Sequence, residues 1–100
     1  MTTALNAQSS DKMRQANLES LAAAEREFAA ETVKVGFRDG FIKYFAEDGI
    51  GFGPDPERTR EKLMKLPPAT GPRRVMFNWA PMFGDVSDAG DLGYTTGPVL

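Results

Sequence analysis

FNWAPMFGDVSDAGDLGYTTG, residues 77–97, decides how this chain is read. Two runs of alternating apolar and polar residues flank the turn-forming triplet Asp88-Ala89-Gly90. The pattern predicts two antiparallel strands, over about 74–87 and 91–99. Trp79, the only tryptophan, falls on the first strand and Tyr94 on the second. Period-two alternation puts Val75, Phe77 and Trp79 on one side, with Met76 and Asn78 on the other. Leu92, Tyr94 and Thr96 share a face of the second strand. Pro81 cannot donate to a ladder, so the first strand must bulge there or lie at an edge.

The residues before this hairpin are helical in character. A polar tail over 1–10 gives way to a run of Ala, Glu, Lys, Arg and Leu, which predicts a helix over 11–35. Ser10 or Asn17 would cap its start, and Gly36 supplies its stop. Leu18, Leu21, Ala22, Glu25, Phe28, Ala29 and Thr32 recur at helical spacing, a stripe that is apolar except at Glu25 and Thr32. A second helix is expected over 38–45, where Phe37, Phe41, Tyr44 and Phe45 form an aromatic stripe. Ile50 and Phe52 alternate as in a short strand. Asp55 reads as an N-cap with Pro56 at the first helical position, predicting a surface helix over 56–65 anchored by Leu63 and Leu66.

A two-stranded ribbon is marginal in water and leaves an open edge. Either the natural chain continues past Leu100 or another molecule completes the sheet. One domain of residues 11–100 is the expected organisation.

Composition excludes several function classes. The charge of −2 arises from interleaved signs without a basic block, which argues against a nucleic-acid partner. With no cysteine or histidine, disulfides, thiol nucleophiles, Cys/His zinc sites and imidazole chemistry are absent. No apolar run approaches the ~20 residues of a membrane span. The first residues lack the pattern of an intact signal peptide, although Ala4–Ala7 (ALNA) is compatible with the remnant of a cleavage site. The localisation is therefore left as cytoplasmic or, after removal of a signal peptide, periplasmic or secreted.

The run AAEREFAAETVKVGFRDGFIKYFAEDGIGFGP, followed by NWAPMFGDVSDAGDLGYTTGP, resembles the nuclear-transport-factor-2-like superfamily. The branch it is most similar to holds uncharacterised bacterial members near the SnoaL-like polyketide cyclases and ketosteroid isomerases. The resemblance covers about Ala22 to Pro98. It implies a cone-shaped α+β barrel, in which N-terminal helices fill the concave face of a curved antiparallel sheet around a pocket. It also implies further strands after GDLGYTTGP and a homodimer formed by sheet-to-sheet contact. In the isomerases the base is an aspartate just before a proline. The matching position here is Gly53, before Pro54, and glycine cannot abstract a proton. The tyrosine of the isomerase oxyanion hole would correspond to Tyr44 or Tyr94, whereas its acid comes from a later strand.

No catalytic residue, metal site or cofactor is assigned. Asp48 reads as a turn residue, and Asp85 and Asp91 flank the hairpin as a candidate carboxylate pair. Phe37, Phe41, Tyr44, Phe52, Trp79 and Tyr94 read first as core. In the functional reading, Tyr44, Trp79 and Tyr94 offer polar tips to a ligand while Phe41 and Phe52 form an apolar wall. Met76 and Met82 would fill gaps beside it, and Asn78 would be a neutral contact. The expected function is a small-molecule-binding or accessory domain with an apolar pocket. The alternatives are an isomerase, cyclase or dehydratase with its base outside this segment, and a structural dimerisation module.

Overall fold

The computed structural model of the chain describes residues 2–68 and 78–99, with side chains from residue 10 onward. In chain order the elements are α1 (Thr2–Val35), α2 (Phe37–Tyr44), β1 (Ile50–Phe52), β2 (Pro56–Arg58), α3 (Thr59–Met64), β3 (Phe83–Val86) and β4 (Gly93–Thr96). Helices with antiparallel strand pairs make this an α+β chain. Two compact units divide it, residues 1–27 with 79–100 and residues 28–78.

In the first unit, α1 starts at Thr2, where a tail over 1–10 and a helix start at 11 were expected. The physical reason is continuity: no glycine or proline interrupts the chain before Gly36. The expected stripe is seen, with Leu18, Leu21, Ala22 and Glu25 half-buried between exposed neighbours. β3 and β4 pair antiparallel, Phe83 opposite Thr96 and Asp85 opposite Tyr94. A Cβ at Gly93 would lie 2.8 Å from Leu21 Cδ2, so the bare glycine lets the leucine approach the ribbon. The turn closes where the sequence places it. Gly90 N–H donates to Ser87 O at 3.0 Å, with Gly90 at φ 75°.

The irregularity at Pro81 is a bulge. Trp79 bridges to Val99 and Phe83 to Thr96, so residues 80–82 face only residues 97–98. That is one extra residue on the proline-bearing strand. Ala80 and Met82 still donate, to Pro98 O and Thr96 O. The predicted strand positions 74–77, including Val75, Met76 and Phe77, lie outside the described residues.

In the second unit, Gly36 at φ 97° ends α1, its N–H donating to Thr32 O at 2.8 Å. α2 follows at once, beginning and ending one residue earlier than predicted. Gly40 meets buried Thr32 so closely that a Cβ there would fall 2.8 Å from the Thr32 Cα. The aromatic stripe of α2 forms a continuous cluster. Phe41 lies 4.2 Å from Phe37, 5.3 Å from Phe45 and 4.8 Å from Phe28 of α1, centroid to centroid.

The capped helix expected over 56–65 is not formed as such. Pro56 pairs with Phe52 and Arg58 with Ile50, so residues 56–58 are β2, and α3 spans only Thr59–Met64. Arg58, not Asp55, occupies the N-cap position. Pairing with β1 supplies backbone partners that a side-chain cap would have supplied less completely, and Thr59 N–H extends it to Gly49 O. Pro56, the first residue of its strand, is tolerated there. Leu63 is buried as expected, whereas Leu66 is exposed beyond the helix.

The described strands form two two-stranded ribbons, β1–β2 and β3–β4, and among the described residues no closed barrel is seen. Each ribbon joins chain-adjacent strands, the pairing with the smallest loop-closure cost. Among the described residues, the buried apolar side chains are Ala29 and Leu63.

Candidate functional site: an apolar cavity in residues 28–78

The aromatic spacing of α2 has a consequence beyond its own helix. Phe37, Phe41 and Phe45 line a cavity of about 400 Å³, together with Phe52 of β1 and Leu63 and Leu66 at α3. Small-molecule sites run from roughly 300 to 1,000 Å³, mostly apolar with a few placed polar groups. The polar side chains lining this cavity are Glu57, Thr59 and Lys62. Phe52 is 76% exposed and Phe37 47%, so much of the ring surface meets water.

Arg38 holds the walls in place. Its Nε donates to Leu63 O at 3.2 Å and to Leu66 O at 2.8 Å, occupying carbonyls at the end of α3. Its Nη1 also pairs with Asp39 Oδ1 at 2.6 Å. Sequence reasoning missed this residue, because an arginine on a short helix carries no mark of a partner 25 residues away.

The five predicted ligand-binding residues are distributed between the units. Phe41 and Phe52 line the same cavity. Tyr44 is not among its lining residues. Its ring stacks on Phe28 at 5.2 Å, with the Lys43 amine 5.8 Å from the ring centroid. Trp79 and Tyr94 belong to the first unit. There Trp79 Nε1 donates to Glu25 Oε1 at 2.6 Å, and Tyr94 is 60% exposed.

The carboxylates flanking the hairpin have separate partners. Asp85 Oδ1 accepts from Arg14 Nη2 at 2.9 Å and from Val86 N–H at 2.8 Å. The Val86 amide, followed by the Arg14 guanidinium, holds the Asp85 carboxyl below its ordinary range. Arg14 Nε lies 3.3 Å from Asp88 Oδ1 without hydrogen-bond alignment. Asp91 instead accepts from Ser87 Oγ at 2.7 Å. These contacts clamp a turn. Asp48 lies exposed in a turn after α2, and Asn78 is exposed. Among the described residues no group of three metal-ligating side chains converges, and no helix is long and apolar enough to cross a membrane.

No family model, curated protein or solved structure matches this chain.

Proposed function

We propose that this chain binds an apolar small molecule in the cavity of residues 28–78, as a binding or accessory domain. The observation that carries the reading is the wall of four phenylalanine rings, Phe37, Phe41, Phe45 and Phe52, around about 400 Å³. Water in contact with so much apolar surface is displaced favourably, at about 25 cal/mol per Å² removed. The binding reading requires no proton-transfer group, which suits a wall with one hydroxyl and one ion pair. The nuclear-transport-factor-2-like resemblance stays part of the proposal, supported by the order of helices followed by an antiparallel hairpin.

The test is titration with phenylnaphthylamine, an uncharged dye that brightens in apolar surroundings. Phe52→Ser should weaken binding roughly tenfold, by the loss of one large contact on an exposed strand. Phe83→Ser, which removes a comparably exposed ring from the other unit, should leave it unchanged. No brightening, or equal losses in both variants, contradicts the proposal.

A second reading, a homodimerisation module, rests on the β3–β4 ribbon. Its register places Phe83 and Tyr94 on the face opposite Gly84 and Thr95, and both rings are exposed, as is Leu92 nearby. Each large aromatic contributes roughly 150–250 Å² on burial. Two such rings, with Leu92 beside them, supply roughly half of the ~800 Å² per partner of a standard interface, and the occupant this reading assigns to the face is a second copy of the chain.

A further inference from the structure

The cavity is lined by one cation and one anion among its described residues, and the two are paired. Lys62 of α3 places its Nζ 2.7 Å from Oε2 of Glu57 on β2, with both side chains about half exposed. We infer that this pair sets the charge selectivity of the cavity, so that it takes apolar molecules with an uncharged polar end and disfavours anions. The inference rests on the cavity being a binding site, as proposed above.

An anionic ligand would need Lys62, and Lys62 is already neutralised. To take the anion, the lysine must leave Glu57 or hold both negative groups beside each other, and either course costs binding free energy. A neutral polar end makes no such demand. The Thr59 hydroxyl in the lining offers it a donor and an acceptor without disturbing the pair. Glu57 is thus a specificity-determining residue that acts by occupying Lys62.

The charges around the pair fix the direction of any change. Arg58, Glu61 and Lys65 line an adjoining groove with Glu57 and Lys62, giving three cations against two anions. Neutralising Glu57 therefore leaves a clearly positive rim, and the cavity should turn toward anions. Glu57 lies on an exposed strand, and glutamine keeps its shape, so Glu57→Gln leaves the ribbon intact.

The experiment compares two dyes of similar aromatic body, uncharged phenylnaphthylamine and anionic anilinonaphthalene sulfonate. Their relative affinities are measured in the unaltered chain, in Glu57→Gln, and in Glu57→Gln combined with Lys62→Met. The unaltered chain should prefer the uncharged dye. Glu57→Gln should shift the ratio toward the sulfonate roughly two- to five-fold, the range of a partly exposed ion pair. The double variant should return it. An unchanged ratio in Glu57→Gln, or a shift that survives removal of Lys62, overturns the inference while leaving the cavity a binding site. Failure of both dyes to bind any variant overturns the inference and the binding proposal together.

Discussion

Trp79 donates its indole N–H to the Glu25 carboxylate at 2.6 Å, joining the start of the bulged strand to the C-terminal half of α1. The two residues stand 54 positions apart, and both are half-buried. A carboxylate on the buried stripe of a helix is costly unless it has a donor, and the indole supplies one. Glu25→Ala removes this acceptor and should lower the stability of the first unit by about 1 kcal/mol. Denaturant unfolding followed by tryptophan emission checks it directly, because Trp79 is the only emitter of its kind. Glu25→Gln, which keeps an acceptor oxygen, should recover part of the loss.

Arg38 gives the second unit a comparable link, donating to the carbonyls of Leu63 and Leu66. Arg38→Met should destabilise the unit by about 1–3 kcal/mol, since charge-assisted hydrogen bonds are lost. It should also weaken dye binding, because Leu63 and Leu66 line the cavity. Lysine should not rescue it, as a point charge cannot reproduce the guanidinium fork. Retention of full dye affinity in Arg38→Met would show that these carbonyl contacts do not shape the wall.

Asp85 makes stability depend on pH in one direction. Its carboxyl titrates below the ordinary aspartate range in the folded chain, through the Val86 amide and then Arg14. The ionised form is therefore favoured by folding, and its contribution is fully present above the unfolded value, roughly pH 4. It is lost as pH falls through the lower folded value. Asp85→Asn should flatten this part of an acid-unfolding curve, with little effect on its shape above roughly pH 5. An unchanged acid limb would mean that the Arg14 and Val86 contacts do not persist in solution.

Much of this architecture was legible in the residues. Gly36, the Asp88–Gly90 turn and the break at Pro81 are positions where backbone chemistry leaves few choices, and all three fall where expected. Glu25 and Thr32 interrupted an otherwise apolar stripe. Glu25 meets Trp79, and Thr32 is buried against Gly40, contacts that no local pattern could name. Asp55-Pro56 reads as a cap because cap chemistry is local, whereas the pairing of Phe52 with Pro56 depends on a partner strand of only 3 residues. The candidate site was half legible. Phe41 and Phe52 share a wall, but Tyr44 stacks on Phe28, and Arg38, Glu57 and Lys62 gave no sequence signal.

The exposed face of the β3–β4 ribbon predicts self-association. Sedimentation or light scattering over a dilution series should show a dimer that dissociates, and Phe83→Ser with Tyr94→Ser should shift the equilibrium to monomer. A chain that is monomeric and cooperatively folded at every concentration would rule the dimerisation reading out.

Binding in the phenylalanine-walled cavity is open to direct observation. Amide chemical-shift mapping during titration with phenylnaphthylamine tests it most directly. Saturable shifts are expected at Phe37, Phe41, Phe45, Phe52 and Leu63. Saturable shifts centred on residues 79–99, or none at saturating dye, would contradict it.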